Sequence, residues 1–294
     1  MAIIPKFFIC PGAQKSGTTS LHDLLCQHPQ ITLPYKKETK YFINTDSVKI
    51  DEYFSRFFPE TLDCLAGEID PDYMFDPKVP EKLFRAFGEN LKLIFLLRNP
   101  VDRAYSHYWM SCRRGFETES FEVAFEKEPS RLASGDRKSF WHQSYFARGF
   151  YTQQIARFLE YFNKQNCLFI NFDDFVSVRD ETLKTILSFL DVDEHYEFKN
   201  INMQSNEAGL PKSRFLSILH GRPPAFFKFF KFLVPSRKFR WTVIYPMIER
   251  MNISKNRPEK MNPDTRARLL EYYVEEMDML QVMTGIDTKA WRKA

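Results

Sequence analysis

An α/β fold, with a central parallel β-sheet flanked by helices in three layers, is what this 294-residue sequence predicts. Three observations carry the prediction. Short apolar runs alternate with segments of helical periodicity, the pattern of parallel strands joined by right-handed crossovers. The first run leads through GAQKSGTT, residues 12–19, into a helical segment, so strand, glycine loop and helix follow in the order a phosphate site needs. A later run, LKLIFLL at 91–97, ends in Arg98, Asn99 and Pro100, with Asn99 placed to cap a helix and Pro100 at its first position. The loop makes the expected fold P-loop-like, with ligands bound beyond the carboxyl ends of the strands.

Each element has its own reason. KFFIC at 6–10 is a compact apolar run before glycine and predicts a buried strand. Leu21, Leu24, Leu25 and His28 recur at helical spacing, and Pro29 stops that helix. A strand is expected near 65–69, before Asp70 and Pro71. Pro80 opens a short helix with Leu83, Phe84 and Phe87 on one face and Gly88 as its stop. In the helix after Asn99, Asp102 lies in the first turn, while Arg113 and Arg114 close it before Gly115, matching the helix dipole. Tyr151, Ile155, Phe158, Leu159 and Phe162 mark another amphipathic helix. CLFINF at 167–172 is a strand, and Leu183, Ile186, Leu187 and Leu190 mark a further helix. A last helix begins at Asn262 and Pro263 and carries Leu269, Leu270, Tyr273, Val274, Met277 and Leu280. Residues 205–262, with Gly209, Pro211, Pro223, Pro224 and Pro235, break the rhythm. With no internal repeat and no linker, the expectation is one domain over 1–294 carrying a variable insertion at 205–262.

Hydrophobic residues make up 44% of the chain and aromatic residues 16%, enough for a large core. A net charge of +4 suits an anionic ligand but falls short of a nucleic-acid binder, so no nucleic-acid partner is expected. The five cysteines form no CxxC pair and do not cluster with histidine, so we expect reduced thiols, a cytoplasmic location and no metal. No apolar run approaches membrane-spanning length, and the N-terminal stretch reads as a strand entering the loop rather than a signal peptide.

Gly12 and Gly17 have phosphate-loop spacing, yet Thr18 stands where an ATP loop carries lysine, and the lysine is at position 15. Arg98 ends the 91–97 strand where many such enzymes place a magnesium-binding aspartate. Both substitutions suit triphosphate hydrolysis poorly. Backbone N–H groups, Lys15 and the Thr18 and Thr19 hydroxyls can still cradle one tetrahedral anion. Arg98 with Ser106, about two turns into the next helix, can hold a second. On the residues alone the plainer alternatives stay open: an ordinary glycine turn, an arginine paired with a carboxylate and a helix-surface serine.

Lys15-Ser16-Gly17-Thr18-Thr19, taken with Arg98, Asn99, Pro100, Arg103 and Ser106, resembles the sulfotransferases that use 3′-phosphoadenosine-5′-phosphosulfate (PAPS), in the heparan-sulfate-modifying branch. The resemblance implies that residues 15–19 hold the 5′-phosphosulfate and that Arg98 and Ser106 hold the 3′-phosphate. It gives Lys15 the charge that builds on the oxygen between phosphorus and sulfur. Gly149-Phe150-Tyr151 and Asp173-Asp174-Phe175 look like the family's central segment, and Ser254-Lys255-Asn256-Arg257-Pro258 is similar to its cofactor-covering loop. Tyr151, Lys255, Asn256 and Arg257 would then be cofactor contacts. In KKETKYF, residues 36–42, Glu38 with Tyr41 and Phe42 matches the context of the family's catalytic base. Read without the resemblance, it is a solvated charge cluster. His107 is the rival base, although beside Tyr108 and Trp109 it reads as a packing residue.

Glu68 and Tyr73 keep the places of an acceptor-side segment in the family, but Ile69 stands where that segment carries a catalytic lysine. No cysteine follows Cys167, so the C-terminal disulfide of the Golgi enzymes is absent too. Both departures imply a bacterial-type soluble member. The expected acceptor is a carbohydrate, a lipid or another metabolite. The aromatic and cationic stretch 225–241 reads as an acceptor lid, a peripheral membrane contact or an amphipathic helix packed on the domain. Two other readings stay open: a P-loop-type nucleoside or small-molecule kinase, and a non-catalytic relative that binds a membrane or partner.

Overall fold

Five strands form one sheet in the order β2-β3-β1-β4-β5, every neighbouring pair parallel. They are β1 (Phe7–Gly12), β2 (Ile31–Thr32), β3 (Leu65–Ile69), β4 (Lys92–Leu97) and β5 (Cys167–Asn171). The helices, in chain order, are α1 (Thr18–Leu25), α2 (Tyr41–Asn44), α3 (Ile50–Phe57), α4 (Val79–Phe87), α5 (Pro100–Arg113) and α6 (Phe121–Ala133). They continue as α7 (Arg137–His142), α8 (Tyr151–Leu159), α9 (Phe172–Ser177), α10 (Arg179–Phe189) and α11 (Pro263–Thr284). This computed structural model describes residues 6–59, 64–201, 247 and 259–293. The stretch 225–241, most of the 205–262 insertion, and Lys255, Asn256 and Arg257 lie outside the described residues.

Alternation along the strands produces the three layers. Phe8 and Cys10 of β1 and Ile94 and Leu96 of β4 share a core with Leu21 and Leu24 of α1, Phe175 of α9 and Leu183, Ile186 and Leu187 of α10. Their neighbours in the strands point the other way. There Phe7 stacks on Phe87 at 4.3 Å and meets Tyr53 edge-on, and Phe95 meets Phe158 of α8. Much of the chain's aromatic content is used here, in a cluster that also takes in Phe42, Phe54 and Phe58. Each such ring, buried, stabilises the fold by about 2–3 kcal/mol.

One close approach fixes the β1–β3 register. Gly67 pairs with Phe8, and a Cβ at position 67 would lie 2.1 Å from the Phe8 ring, so only glycine fits.

The sequence places β1, β3, β4, β5 and the helices α1, α4, α5, α8, α10 and α11 where they occur. Helix α1 stops earlier than Pro29 requires. The N–H groups of Gln27 and His28 turn back to Leu24 and Leu25, a tightened turn that lets β2 begin at Ile31.

At the described positions the chain divides into two compact units. One lies within Met1–Pro100, Phe150–Asn206 and Leu270–Lys293, and holds the sheet; the other lies within Val101–Gly149 and Glu207–Leu269. The second has its own buried polar frame. Glu117 accepts from Arg131 at 2.6 Å and from the Tyr145 hydroxyl at 3.0 Å, and Glu128 accepts from the backbone of Phe146 and Ala147. Arg103, wholly buried, donates to the Tyr145 carbonyl.

Candidate active site

The loop after β1 turns sharply enough to need left-handed backbone at two residues, Lys15 (φ 73°) and Gly17 (φ 88°). At Gly17 a Cβ would also come within 3.0 Å of the Phe172 ring, so glycine serves both conformation and space. Arg98 braces the turn from the end of β4. Its guanidinium donates to the Lys15 carbonyl at 3.2 Å and lies 4.8 Å over the Phe172 ring. Arg98, at the end of β4, therefore lies against the loop that follows β1.

Helix α1 opens with no side-chain cap and no acidic residue in its first turn, leaving its N-terminal donors suited to an anion. Two buried polar atoms of the loop, Ser16 Oγ and Gln14 Oε1, have no hydrogen-bond partner among the described residues. Ser16 is 0% exposed. Burying such atoms without partners costs about 1–3 kcal/mol each, and an oxyanion group seated on the loop would offset it.

The glutamate turn is built differently. Glu38 (φ 55°) and Lys40 (φ 58°) are also left-handed, but their backbone is held from outside by side chains of β3 and the turn after it. Thr39 N–H donates to Glu68 Oε1 and Lys40 N–H to Asp70 Oδ2, both at 2.9 Å. Glu68 also accepts from the Tyr53 hydroxyl at 2.5 Å and from Tyr73 at 3.2 Å. Burial raises the Glu68 carboxyl, and these hydrogen bonds pull it back. Glu68 and Tyr73, expected on the acceptor side, are both 0% exposed and spend their polar atoms on the brace.

Three carboxylates share Lys40. Its ammonium donates to Asp70 Oδ1 at 3.1 Å and to Asp72, and lies 3.9 Å from Glu38. Burial works to lower the Lys40 ammonium, but Asp70, Asp72 and Glu38 outweigh it and raise it. Asp70 is pushed up to about 7 by burial, against the pull of Lys40. Gln14 Nε2 donates to Asp72 at 3.0 Å and so joins the phosphate loop to this cluster. On the other side Lys37 donates to Thr19 Oγ1 at 2.5 Å and lies 3.9 Å from Glu38. The Glu38 side chain sits between two ammonium groups and is 35% exposed. Sequence reasoning missed Asp70, Asp72 and Gln14; the DPD run beside a lysine-rich turn was the available signal.

The Tyr151 hydroxyl donates to the Arg98 carbonyl at 2.8 Å, so Tyr151 positions the strand end that carries Arg98. Asn99 is fixed from far along the chain. Its amide donates to the Trp291 carbonyl at 2.8 Å, while the Trp291 indole donates to Asp173 at 3.1 Å. Nothing in the local pattern around Trp291 announces that clasp. Ser106 lies half-buried on α5, and His107 is buried there with its ring edge-on to Tyr145 at 5.0 Å, in keeping with a packing role. Cys10 and Cys167 are pushed up to about 12 by burial, so both are protonated thiols unsuited to nucleophilic work.

Residues 5–208, which contain the loop, the glutamate turn and the Arg98 segment, match the sequence model of the sulfotransferase domain. The chain belongs to the sulfotransferase family. This sulfotransferase is 40% identical over 112 residues to the membrane-associated sulfotransferase kil1 of Dictyostelium discoideum, a match covering 37% of the chain. It is 30% identical over 206 residues, 66% of the chain, to the bifunctional heparan sulfate N-deacetylase/N-sulfotransferase 4 of Mus musculus. In both cases the match spans only 23% of the relative's length. Among solved structures, a sulfotransferase from Alicyclobacillus acidocaldarius superposes with a TM-score of 0.71 at 24% identity, covering 99% of this chain and 100% of that one. Mouse sulfotransferase SULT7A1 complexed with PAP superposes with a TM-score of 0.51 at 17% identity, covering 95% and 85%. These likenesses establish the shared P-loop-like α/β fold. Among the described residues no helix is long and apolar enough to cross a membrane.

Proposed function

We propose that this sulfotransferase moves the sulfonate of PAPS to a hydroxyl or amine of an acceptor that is a carbohydrate, a lipid or another metabolite. One observation carries the reading: the turn at Lys15 and Gly17, braced by Arg98, holds a wholly buried Ser16 Oγ that has no partner among the described residues, at the uncapped start of α1. Such a site fits the 5′ end of the donor, and a fold relative solved with PAP supports that ligand class.

When bound, the donor supplies an electrophilic sulfur. Its bond to the bridging oxygen breaks with the electron pair kept on that oxygen, as the bond from sulfur to the acceptor forms in line. The protein's part is positioning and charge. Ser16, Gly17, Thr18 and Thr19 hold the 5′ group through hydroxyls and backbone N–H groups. The Lys15 ammonium faces the charge left on the bridging oxygen. Glu38 takes the acceptor's proton, and its exposure between Lys37 and Lys40 supports that role. Arg98 and Ser106 hold the 3′-phosphate, with Tyr151 behind Arg98 and Lys255, Asn256 and Arg257 covering the nucleotide. No step requires a metal.

Contact with a membrane surface through 225–241 is part of this reading for a lipid acceptor, and the membrane-associated relative supports it. The enzyme is then cytoplasmic and peripheral to the membrane.

Calorimetric titration with PAP in the presence of a chelator tests the donor. Saturable binding of PAP, with ATP-magnesium binding more weakly, is expected. No PAP binding alongside tight ATP-magnesium binding would establish the kinase alternative instead. A screen with radiolabelled PAPS against carbohydrate and lipid acceptors then identifies the acceptor.

A further inference from the structure

The three lysines around Glu38 look alike in sequence, and the structure sends them to three different places. Lys36 turns to the Thr39 carbonyl at 3.4 Å, and burial lowers its ammonium. Lys40 is committed to Asp70 and Asp72. Lys37 alone of the three contacts the phosphate loop side, donating to Thr19 Oγ1 at 2.5 Å, in the first turn of α1. A hydroxyl that accepts from an ammonium keeps its own O–H proton for another acceptor, and is polarised toward giving it. Lys37 therefore sharpens Thr19 as a donor to an anion and brings a positive charge to the same spot. It also lies 3.9 Å from Glu38 Oε1, so one side chain touches both the anion cradle and the candidate base.

Residue 69 on β3 is an isoleucine, 1% exposed in the core, so that strand sends no cation toward the loop. We propose that Lys37 is a further catalytic residue: with Lys15 it stabilises the electron pair left on the bridging oxygen when the sulfur–oxygen bond breaks. That oxygen becomes part of the 5′-phosphate of PAP, while the acceptor's proton goes to Glu38. The inference rests on the donor reading of the loop, and its test separates the two.

The 5′-phosphate of PAP carries the charge in question, and adenosine 3′-monophosphate lacks that group. Calorimetric titration of both nucleotides into the wild type, Lys37→Met, Lys37→Gln and Lys37→Arg isolates the contribution of Lys37 at the 5′ end. Lys37 is 27% exposed on its side chain, so neutral variants at this position leave the core untouched. The expected result is PAP binding about tenfold weaker in Lys37→Met and Lys37→Gln, the loss of one charge-assisted hydrogen bond. Adenosine 3′-monophosphate binding should stay within about twofold, and Lys37→Arg should recover most of the PAP affinity. Equal weakening of both nucleotides, or unchanged PAP affinity in both neutral variants, overturns the assignment while leaving the donor reading intact. A wild type that binds neither nucleotide removes the donor reading, and the role of Lys37 with it.

Discussion

The phosphate loop and the glutamate turn stand side by side, and both force non-glycine residues into left-handed backbone, Lys15 in one and Glu38 and Lys40 in the other. They are held in opposite ways. In the glutamate turn the N–H groups of Thr39 and Lys40 are taken by Glu68 and Asp70, and the Lys40 ammonium by two aspartates. In the loop, Ser16 Oγ and Gln14 Oε1 are buried without partners among the described residues. A segment whose polar atoms are all matched is stiff and can aim one side chain. A segment with unmatched buried atoms is built to have the remainder supplied by a ligand. The proposed function draws on this contrast, giving binding to the loop and aiming to the turn, and four substitutions can break or sharpen it.

The largest effect is expected at the aimed group. Glu38→Gln keeps the shape and the backbone bonds of the turn but cannot take a proton. Turnover of an accepted substrate should fall about 10²–10⁴-fold while PAP affinity holds, as steady-state rates and calorimetry would read. Full turnover in this variant would remove Glu38 from the base role. Next comes the brace. Glu68→Leu strands the Thr39 N–H and the Tyr53 and Tyr73 hydroxyls, and should cost about 3 kcal/mol or more in urea unfolding. If stability is unchanged, the turn is not held from β3.

Gly17→Ala tests the loop with less force. Its left-handed backbone and the Phe172 ring should cost about 1–2 kcal/mol, read as weaker PAP binding with Glu38 still in place. A fourth effect, spread over pH, lies in the other unit, where Glu128 is a buried carboxylate whose hydrogen bonds come from backbone. Burial pushes its carboxyl up to about 7 from an ordinary 4.5, despite the pull of those donors and of Arg103. The folded chain thus keeps a proton that the unfolded chain has released. Stability should fall as pH rises through that window and level off above it, with a slope of at most about 1.4 kcal/mol per pH unit. Glu128→Gln should flatten the slope, measured by urea unfolding on either side of neutrality. A slope that survives the substitution belongs to other groups, Asp70 first among them.

What could be foreseen from sequence follows the range of the contact that carries it. β1, β3, β4 and β5 are apolar runs, and the Gly12–Gly17 spacing is local, so both were legible. So was the meeting of Arg98 with the loop, because parallel neighbours end on the same edge of a sheet. β2 is two residues long and has no periodicity to detect, and α3, α6 and α7 compete with the aromatic and charged residues around them. The brace was hidden for another reason. Thr39 and Glu68 are 29 residues apart, and nothing in either neighbourhood states that one will cap the other. For the same reason Glu68 and Tyr73 look like surface chemistry in the sequence and prove to be interior supports.

The tie between Asn99 and Trp291 joins residues 192 positions apart. During synthesis, the strand end that presents Arg98 leaves the ribosome long before the tryptophan that secures it exists. A nascent chain can assemble the sheet yet must wait for residue 291 before this edge is clasped, so the Arg98 end of β4 reaches its final setting only after nearly two hundred further residues have been added.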